Sequence, residues 1–167
     1  FILIKTQNSQ ATTEISPRGD SNGFIHQLSS NTLLIPERPG NKVAVSLCNI
    51  IDQPNIELLC VIPGLNLVLN ISGQAQIIAS PALLKSCSVN GKQPKLGILV
   101  TIKSQSIRTD LALSNSKIWQ IENLVDPKLI TSFPKALSAH MNGTGLLGLA
   151  TANLVKAVVN HDMKNLY

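Results

Sequence analysis

Between Phe1 and Pro36 turn-forming residues cut the chain into four short apolar runs, and this spacing limits the possible folds more than any other feature. "FILIKTQ" is apolar and β-branched, "NSQ" is a turn, and "ATTEIS" alternates like a returning strand. "GFIHQLSS", a turn near Asn31 and "TLLIP" form a second hairpin. After the loop "ERPGN", the segment "KVAVSLCNIID" places Val43, Leu47, Ile50 and Ile51 at helical spacing. Asn41 stands where an N-cap belongs, and "QPN" ends the helix. The β-branched valines oppose a helix slightly, but the period outweighs them.

"NIELLCVIPG" is nearly continuous in apolar character, as in a strand buried on both faces. "NLVLNISGQAQIIAS" is a long strand in which Gly73 marks a bulge or a close backbone approach. Ser80 and Pro81 are the usual N-cap and first residue of a helix. "VNGKQPK" is a polar loop, and "LGILVTIKSQSIRT" is a long strand that alternates near its end. The pattern changes from Asp110. "LALSNSKIWQ" is a short helix or irregular segment, while "FPKALSAHM" and "LATANLVKAVVNHDMKNLY" are helices around a flexible "NGTGLLG". Six or seven strands, with a helix between strands four and five and helices at the end, suit a small antiparallel barrel better than a βαβ repeat.

Such a core must be built from Val, Ile and Leu, because only 3% of the residues are aromatic. With 44% hydrophobic and 14% charged residues, the 167-residue chain reads as one globular domain, with residues 133–167 as a C-terminal helical extension. The net charge of +5 suits anionic ligands. Singly scattered basic residues and scarce aromatics speak against nucleic acid. Cys48, Cys60 and Cys87 have no metal-ligand spacing, so no metal is expected. Cys48 and Cys60 sit among apolar neighbours and read as reduced, buried small hydrophobes, which favours the cytoplasm. No apolar run reaches the roughly 18 residues of a membrane span, and no signal peptide is visible. The chain opens as if in mid-strand, so a further N-terminal segment is expected.

Two stretches carry candidate chemistry. In "IPERPGNK" a strand ends, a Pro/Gly loop turns and a helix begins near Asn41. Amides at a helix N-terminus bind anions, and Arg38 and Lys42 flank this one with positive charge. The bland reading is a capped helix with solvated basic residues. In "SPRGD", Arg18 ends the second strand beside a tight turn. A meander can bring the ends of strands two and four together, so Arg18 and Arg38 could converge on one ligand. A plain turn, with Asp20 bonding its own backbone, is the alternative. A cell-adhesion role would need an exposed loop in a secreted protein, and the cysteine usage opposes that.

From Glu14 to Gly64 the chain closely resembles the FMN-binding split-barrel proteins related to pyridoxamine 5′-phosphate oxidase. The shared elements are "SPRGD", a following aromatic, "LLIPERPGN", and a strand ending in "IPG". The likeness continues more weakly through "NISGQAQI", "SPALL", "VNGKQPKL", "SKIW" and the final "LY". The resemblance implies a six-stranded antiparallel split barrel and a homodimer with FMN in a groove at the interface. It implies cofactor contacts along Ser16, Pro17, Arg18 and Gly19, and a phosphate near Arg38, Asn41 and Lys42. Ile35, Pro36, Glu37, Ser116 and Trp119 belong to the same implied site. Glu37 replaces the family's Asp, and Val43, Leu111 and Asn115 stand where basic residues are usual.

No catalytic residue can be named: His26, His140 and His161 are far apart and in unlike settings. Two functions follow. One is an FMN-dependent oxidoreductase acting on a small molecule or nicotinamide donor. The other is a non-catalytic cofactor-binding or structural protein on the same scaffold, which the changes at Leu111 and Asn115 favour.

Overall fold

The computed structural model describes residues 1–38, 44–143 and 145–164. Phe1–Trp119 form one compact unit, and the chain from Gln120 forms a second.

The first unit is built on one antiparallel sheet of seven strands, one more than the six implied by the resemblance. They are β1 (Ile2–Gln7), β2 (Thr13–Arg18), β3 (His26–Ser29), β4 (Thr32–Glu37), β5 (Asn55–Val61), β6 (Leu67–Ile78) and β7 (Leu96–Thr109). Their order is β2-β1-β5-β6-β7-β4-β3. The long β6–β7 ribbon organises the sheet. Its half near Val68–Gln74 carries β5, β1 and β2 on the β6 side. Its other half, near Leu96–Thr101, carries β4 and β3 on the β7 side. The two lobes meet where the register slips between Ser72 and Gly73. A bulge there increases twist and bends the ribbon. Gly73 is required at this point because a Cβ on it would lie 2.3 Å from the Thr101 carbonyl oxygen.

Four strands separate β2 from β4 in the sheet order. Even so, Arg18 at the end of β2 lies 3.5 Å from Glu37 at the end of β4. The sheet therefore rolls until edge strand β2 approaches the end of β4, forming a split barrel.

The interior is aliphatic: Ile2, Ile4, Ile35, Leu58, Ile98 and Val100 are buried there. Each such side chain contributes about 1.5–3 kcal/mol by leaving water. A smaller cluster of Leu34, Leu84 and Cys87 lies under α2 (Pro81–Leu84) and the 3₁₀ turn Lys85–Cys87.

Helix α1 (Val45–Asp52) buries Ser46, Asn49 and Ile50. The expected apolar face included Ile51, which is 76% exposed. The helix is turned so that buried Asn49 Nδ2 donates to buried Thr6 Oγ1 at 3.2 Å, a polar pair across α1 and β1. The expected cap Asn41 and the residue Val43 lie outside the described residues, and the described helix starts after Ala44 with no side-chain cap.

Three further expectations are corrected. β5 alternates between buried and exposed residues at its start: Ile56 and Leu58 face the core, while Asn55 and Glu57 face outward. β7 does not alternate at its end, since Lys103–Thr109 runs past β4 and is exposed on both faces. Cys48 is exposed on α1, and Cys87 is the buried cysteine.

Helix α3 (Leu111–Ser116) closes the first unit, capped by Asp110, whose carboxylate accepts from the Ala112 N–H at 2.9 Å. The second unit holds 3₁₀ turns at Ile121–Asn123 and Pro127–Leu129, then α4 (Phe133–Asn142) and α5 (Leu146–Lys164). Asn142 Nδ2 donates to Thr151 Oγ1 at 2.8 Å, tying α4 to α5. No described helix is long and apolar enough to cross a membrane.

Candidate functional site

β2 is an edge strand, which is why it accommodates Pro17 without an N–H. Its residues alternate across the sheet. Glu14, Ser16 and Arg18 lie opposite Thr6, Ile4 and Ile2, all three buried, and so share the inward face. Ile15 and Pro17 point outward and are exposed. Gly19 follows and is exposed. Of the implied cofactor residues on β2, only Ser16 and Arg18 present side chains to the barrel interior.

On β4 the same alternation places Ile35 and Glu37 on the inward face. Ile35 is completely buried and serves the core, and Pro36 is buried as well. Glu37, at the strand end, meets Arg18, with Arg18 Nη2 at 3.5 Å from Glu37 Oε1. Beside this pair Arg38 Nε donates to Asp20 Oδ2 at 2.7 Å, and Arg38 Nη2 donates to the Cys87 carbonyl at 2.7 Å. Asp20 also accepts from the Ser21 N–H at 2.7 Å, the bond expected of a turn. The ends of β2 and β4, with the turn after β2, thus carry two arginine–carboxylate pairs.

The two pairs differ in quality. Asp20 and Arg38 are 5% and 15% exposed and joined by a short, charge-assisted bond. Arg18 and Glu37 are 27% and 17% exposed and share one long contact. Among the described residues Arg18 Nε and Glu37 Oε2 are buried without a hydrogen-bond partner. The carboxyls respond in opposite senses. Burial pushes Asp20 up, but bonds from Arg38 and the Ser21 N–H, with the charge of Arg38, hold it below its ordinary value. Burial pushes Glu37 up, and the charge of Arg18 only partly opposes it.

Arg38 also serves the fold, linking the end of β4 to the "SPRGD" turn and to the Cys87 turn. Asp20 and the Cys87 carbonyl were not foreseen as its partners. A carboxylate two residues after Arg18 was the available signal for the first, whereas the second depends on tertiary folding and left none.

The remaining site residues are dispersed or undescribed. Asn41 and Lys42, with the rest of 39–43, lie outside the described residues. Ser116 is exposed and donates to the Leu113 carbonyl of its own helix at 3.2 Å. Trp119 is half-buried and its indole N–H donates to the Leu65 carbonyl at 3.0 Å, pinning the chain to the β5–β6 turn. Leu111 and Asn115 are exposed on α3. Among the described residues no three His, Cys, Asp or Glu side chains gather at a common point. On the outer sheet face, Leu3, Ile15, Leu59 and Asn70 line a shallow groove of about 240 Å³.

No family profile matches the chain, and no curated sequence is significantly similar to it. Solved structures do match. HupZ from Group A Streptococcus superposes with a TM-score of 0.52 at 16% identity, over 65% of this chain and 84% of that one. An FMN-binding protein from Syntrophomonas wolfei gives 0.48 at 8%, over 64% and 75%. A protein from Clostridium acetobutylicum, described as of the pyridoxinephosphate oxidase family, gives 0.45 at 12%, over 66% and 80%. At these identities the likeness is one of fold.

Proposed function

We propose that this chain binds FMN at the Arg18–Arg38 corner and works as an oxidoreductase-like split-barrel protein. In this reading it is a cytoplasmic homodimer with the cofactor at the subunit interface, and a small molecule or nicotinamide is its electron donor. The observation that carries the reading is that two ion pairs, Arg18–Glu37 and Arg38–Asp20, tie the end of β2 and the turn after it to the end of β4, although four strands separate the two in the sheet order.

The donor chemistry fits an anionic headgroup. A guanidinium offers five N–H donors, and the described residues account for two on Arg38. Held by Asp20 and the Cys87 carbonyl, Arg38 is oriented in advance and loses little freedom when a phosphate arrives. Arg18 is held more loosely and can turn toward a ligand. Because each arginine faces a carboxylate, the corner is balanced in formal charge. Lys42 and the amides around Asn41 would supply the surplus positive charge a dianion requires. FMN, when bound, supplies hydride and electron transfer. The chain's own contribution is to hold the phosphate and to place positive charge from Arg18 near the bound group.

A second reading, cofactor binding without turnover, is favoured by the exposed Leu111 and Asn115 at positions where the resembled family is basic.

Flavin absorption of the purified protein and an FMN titration test the proposal. Arg18→Ala is expected to weaken FMN binding about tenfold or more, from the loss of charge-assisted bonds. Anaerobic addition of a reduced nicotinamide should then bleach the bound flavin. Binding without bleaching would favour the second reading, and no binding would exclude both FMN readings.

A further inference from the structure

We propose that Glu37 competes with an anionic ligand for Arg18, so that ligand binding at this corner is coupled to proton uptake by Glu37. This rests on the anion-binding reading above and adds to it a proton-linked control.

Glu37 lies on the inward face at the end of β4, and its described polar contact is the single 3.5 Å approach of Arg18. Its second oxygen is buried without a described partner, and so is Arg18 Nε. A buried carboxylate with one long contact recovers little of the hydration it has lost. Asp20, in the same corner, is in the opposite position, with a 2.7 Å guanidinium bond and a 2.7 Å backbone bond. The two carboxyls therefore divide the work: Asp20 stays charged and holds Arg38, while Glu37 can give up its charge and release Arg18.

The charged groups around Glu37 make this specific. Arg18 faces it from β2. Arg38, next in the chain, is committed to Asp20. From β7 its pairing partner is Leu96, and the neighbouring Lys95 is exposed. On β3, His26 pairs with Leu34, nearer the other end of β4. Among the described residues Arg18 is thus the cation that stabilises ionised Glu37. An anion that draws on Arg18 removes that stabilisation and adds repulsion. Both effects favour a proton on Glu37, and the existing upward displacement of its carboxyl points the same way.

FMN is the probe. Its affinity is measured by calorimetry from pH 5.5 to 8, in buffers of different ionisation enthalpy, for the unaltered protein and for Glu37→Gln. The phosphate's own protons are common to both proteins, so the difference isolates Glu37. The unaltered protein is expected to take up more protons on binding than Glu37→Gln. The variant should bind about fivefold or more tightly at pH 8, with a flatter pH profile. The proton count on the unaltered protein holds even if the variant folds poorly, because sulfate, which carries no titrating proton in this range, serves as a second probe. Proton uptake with sulfate supports the coupling. FMN binding with no difference in proton uptake, or with the same pH profile in Glu37→Gln, overturns the inference and leaves the cofactor reading intact. Failure of FMN and sulfate to bind at any pH overturns both.

Discussion

The Asp20–Arg38 pair shows how one residue can serve the fold and a site at once. Arg38 stood out in the sequence because it precedes a Pro/Gly bend. Its 2.7 Å bond to Asp20 makes it a clamp as well as a candidate ligand contact. Asp20→Asn is expected to lower stability by about 1.5–3 kcal/mol, measured by urea denaturation, because a nearly buried charge-assisted bond is lost. The pH dependence has a definite sign for each carboxyl. Asp20 is held below its ordinary value of 3.8, so its contribution is present above that pH and is lost as pH falls below it. Glu37 is raised above its ordinary value of 4.5, so the folded state holds a proton the unfolded chain has released. Stability should therefore decline as pH rises from about 4.5 through the folded-state value. Glu37→Gln should remove that decline from the urea-unfolding profile, whatever it does to absolute stability. The arginines could be read from the sequence because strand ends beside turns are easy to see. Of their carboxylate partners, Asp20 left a local signal beside Arg18, but Glu37 did not, because β2 and β4 are not paired strands and meet only when the sheet rolls.

At the scale of elements, the hairpins, the position of α1 and the special status of Gly73 were all visible in the pattern of turn residues and periods. The phase of α1 was not. Its buried face includes Ser46 and Asn49, and a hydrophobic count cannot find a polar pair such as Asn49–Thr6. Burial of β5 was misjudged for a related reason, as an apolar run does not reveal that one side of a sheet stays open. Two glycines give a graded test of the β6–β7 ribbon. Gly73→Ala drives a Cβ onto the Thr101 carbonyl backbone at 2.3 Å and is expected to cost about 3 kcal/mol. Gly97→Ala meets the side-chain ends of Leu84 and Leu34 at 2.8 and 2.9 Å, both fully buried, which can yield only by repacking their small cluster, and it should cost about 1–2 kcal/mol, less than a clash with backbone. Urea midpoints for the two variants check the order, and equal costs would contradict it.

At the scale of the molecule, the split barrel follows from two long strands that carry one lobe on each side, with the ends of β2 and β4 meeting through Arg18 and Glu37. The first unit ends at Trp119, the only tryptophan, which hydrogen-bonds within that unit to Leu65. A chain ending at Trp119 should keep a cooperative urea transition by tryptophan fluorescence, whereas a broad transition would show that the barrel depends on the helical unit. The central claim is that the barrel mouth holds an anionic flavin through Arg18 and Arg38. Titration of the purified full chain with FMN, followed by flavin fluorescence, tests it most directly beside Arg18→Ala and Arg38→Ala. Saturable binding that weakens about tenfold or more in each variant is the predicted result. No saturable binding, or equal binding by all three proteins, would contradict it.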